Sequence, residues 1–525
     1  QFDQILARPC APFSKQDTLL YADKLFLMFD IKEIFAGRYN LIKAEINDAT
    51  LNLITNKKGE INYEIWKSQP DNTASTFNSD LENVLLKNVA ILINDESSVQ
   101  QYALVAEDLK FNGQFKSTRY KLNCTGKTFV NEIMHHGNVY LRNKNLISDV
   151  HIDIDNLHHV YSFLPTTINI EKMKLVVEGK ISQARNHTFT DLTLKSSDAD
   201  ILSLLGLLPN SVSEKLMAYD VKGDLDFTLR INGNSGTNEV PVITADFSTS
   251  NSQLTPPSSS HDLKNIRFMA FYTSQKSITK KVQYISVKNF SAMLEGNSIR
   301  ADFEIEDFRK PFLNLKADGV FDLKQLSDFY KPDTVSDIEG TVRLNASFKG
   351  QTGVPSTYQS TGNAQLKNVT VKLKNSPTSF SNFEGVFSFD NNAFNISNMA
   401  GLINSSDVHI NGVITNAYDY LLLPDRSLYI DAALSSKKIN LDEIIVESSS
   451  STTSKSPGIR FSPLLNFNFT LSVDELVYKK FEASEIRGNV NVQSGELFTD
   501  GLSLKSCGGM RSEEHTSELQ SPYVI

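Results

Sequence analysis

The sequence predicts a mainly β protein with a few short helices, in which a long curled antiparallel sheet is built from repeated units. The first observation behind this prediction is a repeat: residues 284–329 and 394–445 follow one template of three strands closed by a Leu-rich helical segment. A unit of this kind cannot bury its own apolar face and has to stack on its neighbours. The repeat therefore predicts one long surface instead of a compact pocket.

The second observation is strict alternation of apolar and polar residues. Val150, Ile152 and Ile154 alternate with polar residues, and most segments from residue 81 onward share this period of two. Successive side chains of a strand point to opposite faces of its sheet, so each strand has one apolar and one solvated face. Helical patterns are few and short, and besides a single turn near residues 30–37 we expect them at residues 157–164, 198–208, 322–330 and 440–445.

The N-terminal region, residues 1–67, predicts a β-α-β start. A strand runs through Leu25, Leu27 and Phe29, and Asp30 caps a helical turn that Gly37 ends. Two short strands, 42–46 and 50–54, and a Gly-containing turn at 56–59 follow.

The remaining boundaries follow from composition. Residues 68–80 form a polar linker, 81–446 the repeating units, 447–458 a Ser/Thr-rich linker, and 459–510 the start of a further β repeat. A further candidate break lies at residues 255–260. Residues 511–525 lose all alternation and resemble the translation of a sequencing-library adaptor, so we expect a non-native tail and a fragment truncated at both ends.

Charge and motif content exclude several function classes. The formal net charge is −9, and no basic cluster interleaves with aromatic residues, so we expect no nucleic-acid partner. The chain has no Gly-rich phosphate loop, no G-x-S-x-G and no H-E-x-x-H motif, and we expect neither enzyme activity nor a cofactor. The three cysteines have no metal-type spacing and are expected to be small buried hydrophobes.

One crowded stretch calls for comparison with a metal site. His151, Asp153, Asp155, His158 and His159 lie within nine residues. The solvated face of a strand accounts for such a pattern more often than metal ligands do, so we expect no metal there. Trp66 has two candidate roles, a binding aromatic residue or a packing residue, and we expect packing because it is the commoner role of such a side chain.

The apolar strand faces leave two architectures open. In a β-sandwich, two sheets cover each other's apolar faces and no ligand is needed. In the alternative, one long sheet curls into an open groove whose apolar face is filled by acyl chains. Neither composition nor spacing decides between them.

The stretch 18–66 resembles the N-terminal region of AsmA-type proteins of Gram-negative bacteria. The resemblance rests on a strand followed by a D-hydrophobic-L-x-G-like turn at 30–37, an Ile/Leu strand pair at 42–51, and a K-x-G-x-x-N-Y-like turn at 58–63. The repeats at 284 and 394 and the Cys-Gly-Gly at 507–509 are similar to later parts of that family. The family's N-terminal transmembrane helix is not present in this sequence, and we expect it to precede Gln1 in the full-length protein.

The resemblance implies a chorein-like start and a repeating β-groove in a periplasmic protein anchored to the inner membrane. Expected partners are phospholipids or other acyl lipids, the inner membrane through the missing helix, and outer-membrane components. The implied function is bridge-like phospholipid transport and outer-membrane homeostasis, with the repeat interiors lining the groove. We name Val287, Leu315, Ile396 and Ile430 as lining residues.

Two other functions remain open from the sequence. The first is a non-enzymatic scaffold that assists outer-membrane protein assembly, with sheet faces that bury one another. The second is a secreted polysaccharide-binding or adhesive array, which predicts many aromatic residues on the wet face. Few such aromatics are visible in the strand patterns.

Overall fold

The computed structural model describes most of the chain. The described residues are 1–9, 12–13, 17–35, 39–63, 77–78, 83–113, 118–135, 137–184, 187–205, 217–236, 239–257, 259, 261–275, 282–327, 329, 335–374, 378–423, 425–444, 464–506, 509–512 and 517–518. Most of them lie in strands and few in helices, as the sequence predicts. Trp66, Cys10, Cys507, the linker 447–458, and the linker 68–80 apart from Phe77 and Asn78 lie outside these ranges.

The chain forms two compact units. Unit 1 comprises Gln1–Pro257 and Met269–Lys281, and unit 2 comprises Ser258–Phe268 and Val282–Ile525. The first boundary falls inside the 255–260 segment. The strand β15, Leu263–Thr273, contributes residues to both units.

The strands of unit 1 are β1 Phe2–Ala7, β2 Leu20–Phe29, β3 Tyr39–Thr55, β4 Phe77–Asn78, β5 Asn83–Asp95, β6 Gln100–Asn112, β7 Arg119–His135, β8 Asn138–Asp155, β9 Val160–Ile170, β10 Met173–Gln183, β11 His187–Asp200, β12 Asp220–Lys222, β13 Asp224–Gly236 and β14 Val242–Thr255. Its helices are α1 Ile31–Phe35 and α2 Ile201–Leu205.

The strands of unit 2 are β16 Tyr284–Leu294, β17 Asn297–Glu306, β18 Phe312–Asp322, β19 Val335–Gln351, β20 Gln359–Leu373, β21 Ser379–Asp390, β22 Ala393–Ile403, β23 Ser406–Thr415, β24 Leu428–Asn440, β25 Leu465–Tyr478, β26 Phe481–Gln493, β27 Glu496–Ser506, β28 Gly509–Ser512 and β29 Ser517–Glu518. Its helices are α3 Leu323–Leu326, α4 Ala417–Leu422 and α5 Leu441–Ile444, with a 3₁₀ turn at Pro355–Thr357.

Each unit is a meander in which sequential strands pair with one another, but the sheets are mixed and not purely antiparallel as predicted. β3 pairs in parallel with β5, and with the two-residue β4. In unit 2, β24 pairs in parallel with β25. The other described pairings are antiparallel. We call the β3–β5 pair and the β24–β25 pair the two parallel steps. A parallel pair requires the chain to return to the same end of the sheet, which a tight hairpin cannot do. Both parallel steps accordingly follow long connections that contain the polar segments of the sequence.

The two sequence repeats are confirmed as structural repeats. β16, β17 and β18 are closed by α3, and β22, β23 and β24 are closed by α5. Asp322 caps α3 by accepting a hydrogen bond from the Gln325 backbone N–H at 3.1 Å. Asn440 accepts from the Asp442 N–H at 3.2 Å, so both repeats end their third strand with the same kind of capping side chain.

Three local predictions differ from the structure. The helix expected at 157–164 is a turn followed by β9, because its apolar residues continue the sheet. The helix expected over 198–208 begins at Ile201, after β11. The two short strands expected at 42–46 and 50–54 form the single strand β3: Asp48 adopts a left-handed φ of 53°, but β3 keeps the same register with β2 and β5 on either side of it, so no turn forms.

Left-handed residues recur along both units at Lys-Asn or Ser-Asn pairs flanked by apolar residues. Asn88, Asn289, Asn368 and Asn398 all have φ between 50° and 54°. At Asn289, Asn368 and Asn398 the extra residue shifts the strand register, whereas at Asn88 the register with both neighbouring strands is unchanged. Asn tolerates the left-handed conformation better than most residues do, which explains its use at these positions.

Among the described residues, three groups of buried apolar side chains pack into clusters. The β2–β6 cluster, around the parallel step of unit 1, contains Ala22, Ala49, Leu86, Val89, Ala106 and Leu109. The β7–β13 cluster contains Val130, Leu141, Ile170, Met173, Leu175, Ala199 and Phe227, with Leu204 of α2 packed against it. The β24–β26 cluster, around the parallel step of unit 2, contains Ile439, Val473, Ala483 and Ile486.

In the part of the chain that the structure describes, no helix is long and apolar enough to cross a membrane.

Candidate functional site

One face of the unit 2 sheet is apolar over many strands. Residues paired directly across neighbouring strands share a face, so the register defines rows that run perpendicular to the strands. Row 1 contains Val287, Phe303, Leu315 and Phe348 and reaches Ser360. Row 2 contains Phe290, Ala301, Ala317, Ala346, Gly362, Phe389, Phe394, Ile414, Ile430 and Phe467. Row 3 contains Ala292, Ile299, Gly319, Leu344, Ala364, Phe387, Ile396, Gly412, Ala432 and Phe469.

These rows lie on the same face of the sheet because they are two residues apart on the strands that carry them. In β16 the bulge at Asn289 brings Val287 and Phe290 to this face. We call rows 1 to 3 together the apolar face of unit 2. It extends from β16 to β25 and crosses both sequence repeats.

All four residues named from the sequence lie on this face. Val287 and Leu315 are in row 1, Ile430 is in row 2 and Ile396 is in row 3. Their exposure differs: Val287 and Ile396, which flank bulges, are buried, whereas Leu315 is 37% exposed and Ile430 is half-buried. Solvent therefore reaches Leu315 and Ile430 but hardly reaches the other two.

Half-burial is general on the apolar face. Phe303, Leu344, Phe348, Phe387 and Phe394 are all intermediate in exposure. A face packed against a second sheet would hold these large side chains fully out of water. The face is therefore partly open to solvent along β17–β22.

The opposite face carries charged and amide side chains. Arg300 and Asn345 donate to the two carboxylate oxygens of Asp318, and these bonds hold the pKa of Asp318 below its ordinary value. The Lys288 ammonium donates to Glu304 at 2.8 Å and likewise lowers the pKa of that carboxyl. These pairs satisfy the charges at the surface and leave the apolar face without ionised groups among the residues of its rows.

An aromatic cluster lies at one edge of the apolar face. The Tyr418 ring, on α4, is 5.3 Å from the Tyr358 ring and 5.5 Å from the Phe394 ring, in edge-to-face contacts. Phe348 lies 5.0 Å from Tyr358 between ring centroids. The Tyr418 hydroxyl donates to Ser360 Oγ at 2.9 Å.

Unit 1 has a corresponding apolar row. Val84, Phe111, Cys124 and Val150 are paired in register across β5 to β8. Cys124 is a free thiol, and its burial raises its pKa to about 11. At neutral pH this thiol is protonated and unreactive, which fits a small apolar role.

The crowded His/Asp stretch resolves into separate pairs. His151 Nδ1 is 2.7 Å from Asn123 Oδ1, and His158 Nδ1 is 2.8 Å from Asp155 Oδ2. Hydrogen bonds from His158 and Arg119 hold the pKa of Asp155 well below its ordinary range. Within the described ranges, no three His, Cys, Asp or Glu side chains are grouped closely enough to hold a metal ion.

Sequence reasoning missed the aromatic cluster and the bulges. Tyr418 lies on an insertion absent from the first repeat, and its partners come from positions distant in sequence, so no local pattern marks it. The bulges do have a signal: Leu-Lys-Asn-Val at 86–89 and 366–369 and Val-Lys-Asn-Phe at 287–290 share one pattern. An apolar residue three positions after another is out of phase for a regular strand, and the intervening Asn marks the added residue.

Comparison with known proteins does not name a family. No family model, no curated protein sequence and no solved structure matches the chain.

Proposed function

We propose that this chain is part of an AsmA-like periplasmic protein, anchored to the inner membrane, that binds acyl lipids along a β-groove. In this proposal the apolar face of unit 2 is the floor of the groove, unit 1 supplies the chorein-like start, and the protein contributes to phospholipid transport and outer-membrane homeostasis. The protein acts by binding and not by catalysis. The single observation that carries the proposal is the half-exposed apolar face that spans β16 to β25.

The energetic argument favours an apolar ligand. An exposed, contiguous apolar surface of more than a few hundred Å² is unusual on a soluble protein and commonly marks a binding surface. Each methylene of an acyl chain that is kept from water contributes about 0.8 kcal/mol. Chains laid across the rows would cover Leu315, Leu344 and Ile430 and would be shielded in turn.

The chemistry of the two faces supports an amphiphile in particular. The apolar rows carry no ionised group, whereas the opposite face of the same strands carries paired charges such as Lys288 with Glu304. An acyl chain needs no hydrogen-bonding partner, so a surface built of Phe, Leu, Ile, Val, Ala and Gly is sufficient for it. A polar polymer such as a polysaccharide would leave its hydroxyls unpaired there.

The test is native mass spectrometry with lipid extraction on protein exported to the periplasm of a Gram-negative host and purified in mild detergent. We expect several phospholipids per chain. In the variant Ile430→Asp, a charge enters row 2 and bound lipid should fall by at least half. The matched control is Tyr429→Asp, which places the same charge on the neighbouring, 51% exposed residue of the opposite face.

A second matched pair lies on β20. Ala364→Asp places a carboxylate on row 3, and Asn363→Asp places one on the exposed opposite face. Lipid loss in both row variants with retention in both controls supports the proposal. A stable wild-type protein that carries no lipid, or equal losses in row and control variants, contradicts it and favours the assembly scaffold.

A further inference from the structure

The two repeats of unit 2 differ at one connection. In the first repeat β17 and β18 are joined by residues 307–311, whereas in the second β23 and β24 are joined by residues 416–427, which include α4. The insertion is not needed for the strand pairing, because β23 and β24 remain in register up to Thr415 and Tyr429. Its contacts therefore call for a separate explanation.

Tyr418 is the residue through which α4 meets the apolar face. Its ring contacts Phe348 of row 1 at 6.5 Å and Phe394 of row 2 at 5.5 Å, measured between centroids. Tyr358, which follows the 3₁₀ turn, contacts the same ring at 5.3 Å. The side chain thus lies against two rows of the apolar face at once.

The hydroxyl end of Tyr418 is also satisfied. It donates to Ser360 Oγ, and Ser360 Oγ donates to the Asn391 carbonyl at 3.0 Å. Ser360 is only 2% exposed, so it lies beneath these contacts. Tyr418 presents an apolar body to apolar rows and a polar end to a hydroxyl, which is the arrangement that a bound fatty acid or lipid chain would adopt.

The first turn of α4 is held by hydrogen bonds to Asn392, and the Asn416 amide also donates to the Ser427 carbonyl at 2.7 Å. The Tyr418 backbone N–H donates to Asn392 Oδ1 at 2.9 Å, and the Asn416 N–H donates to the Asn392 carbonyl at 3.1 Å. A six-residue helix is too short to be stable by itself in water, so its position depends on these bonds and on the ring contacts. Displacing α4 breaks these bonds and the ring contacts but no strand pair, so α4 can open without unfolding the sheet.

We propose that α4 is a built-in occupant of the apolar face: Tyr418 fills the place of one acyl chain, and displacement of α4 opens a further acyl-chain site. The site is lined by Phe348, Tyr358 and Phe394, with the Ser360 hydroxyl at its polar end. The inference rests on the proposed function only in the class of ligand. Lipid binding elsewhere on the face and binding beneath α4 are separate events.

The first experiment counts bound dansyl-undecanoic acid by fluorescence titration of the full chain. We expect Tyr418→Ala to bind one more molecule than the wild type, because the ring's place becomes vacant. Tyr418→Phe should keep the wild-type number, since it retains the ring and loses only the bond to Ser360. The control Tyr429→Ala removes an exposed ring from the opposite face and should also keep the wild-type number.

The two proposals give different outcomes in this titration. A gain of one site in Tyr418→Ala supports the inference even if the wild type binds no probe, a result that would contradict the proposed function alone. A wild type that binds probe while Tyr418→Ala, with unchanged circular dichroism, gains none would overturn the inference and leave the proposed function standing.

A second measurement uses the unchanged chain in case Tyr418→Ala does not fold. Tyr418 and Tyr420 lie in α4, and chymotrypsin cleaves after tyrosines in segments that have left their folded position. If a fatty acid displaces α4, adding decanoic acid below its micellar range should raise the rate of cleavage after Tyr418 or Tyr420 at least fivefold, as read by mass spectrometry. An unchanged or reduced rate would show that α4 stays in place and would contradict the inference.

Discussion

The two parallel steps and the antiparallel stretch between β16 and β23 use similar apolar residues but bury them to different degrees. At the parallel steps, Val89 and Ala106 in unit 1 and Val473 in unit 2 are completely buried. In the antiparallel stretch, Leu315 is 37% exposed and the large side chains of the rows are half-buried. Hydrophobicity alone therefore does not determine burial in this fold.

Bulges do not explain the difference, because left-handed residues occur in both regions, at Asn88 and Glu485 in the closed ones and at Asn289 and Asn398 in the open one. In each closed cluster, side chains of the two parallel strands and of the strand that follows pack against one another. In unit 2 the short helix α5 also places Leu441 against the cluster. The closed regions therefore exclude water from their apolar side chains, whereas the antiparallel stretch leaves large apolar side chains partly in contact with solvent.

The largest expected effect comes from placing a charge in a closed region. Val473→Asp buries a carboxylate without a partner and should lower the free energy of unfolding by at least about 3 kcal/mol. Leu315→Asp on the open face should change it by about 1 kcal/mol or less. Urea denaturation followed by circular dichroism measures both. Similar losses in the two variants would mean that the antiparallel stretch is as closed as the parallel step.

A glycine within the open stretch provides the next test. A Cβ atom on Gly412 would lie 2.3 Å from the Asp431 carbonyl oxygen and 2.4 Å from Ala432 Cβ, so the neighbouring strand would have to move. We expect Gly412→Ala to lower the free energy of unfolding by about 1–3 kcal/mol. Val413→Ala, on the other face of β23, is the control and should have a smaller effect. A neutral Gly412→Ala would show that β23 and β24 separate easily.

A smaller effect is expected from an ion pair at the parallel step of unit 1. Lys87 donates to Glu45 at 2.9 Å, and this bond is the main reason that the pKa of Glu45 is lowered. Because the folded-state pKa of the carboxyl lies below its ordinary value of 4.5, the pair stabilises the fold above that pH and its contribution is lost as the pH falls. The Lys87 side chain lies in solvent, so the contribution of the pair to stability is small and screened by salt.

The variant Glu45→Gln should therefore be less stable than the wild type at pH 7 and equally stable near pH 3. Thermal denaturation at both pH values, at low and high salt, measures this difference. An unchanged difference at the two pH values would contradict the assigned role of the pair.

Much of this fold could be predicted because it is local in sequence. Alternation gives the strands, and the capping residues Asp322 and Asn440 mark the short helices that close each repeat. The parallel steps could not be predicted, since pairing of β24 with β25 depends on a long connection and not on either strand's own pattern. The pairing register of the strands could not be predicted either, because one bulge at Asn289 or Asn398 changes which residues share a face.

The candidate site, like the fold, could be predicted from the sequence only in part. An apolar face was predictable from alternation, and the four named residues do share it, but their exposure was not. Val287 and Ile396 looked equivalent to Leu315 and Ile430 in sequence, yet they flank bulges and are buried. The cluster around Tyr418 depends on contacts between residues up to seventy positions apart, which no single-sequence pattern contains.

The last prediction concerns reactivity and involves no change in stability. Because burial raises the pKa of Cys124 to about 11, its thiolate fraction should rise about tenfold per pH unit up to that value. With Cys10 and Cys507 replaced by Ser, the iodoacetamide rate at pH 8 should be about 100-fold below that of the urea-unfolded chain. Ser435→Cys, on the exposed outer face of β24, provides a thiol of ordinary reactivity in the folded protein when Cys124 is also replaced by Ser.

A Cys124 rate equal to that of the Ser435→Cys thiol would mean that the row of Val84, Phe111 and Val150 is as open to water as the outer face. A slow rate that falls further when phospholipid is added would extend the open, ligand-accessible character of the apolar face from unit 2 to unit 1. A slow rate that lipid leaves unchanged would instead place Cys124 with the closed regions, because a thiol already covered by protein has no further surface for a ligand to protect.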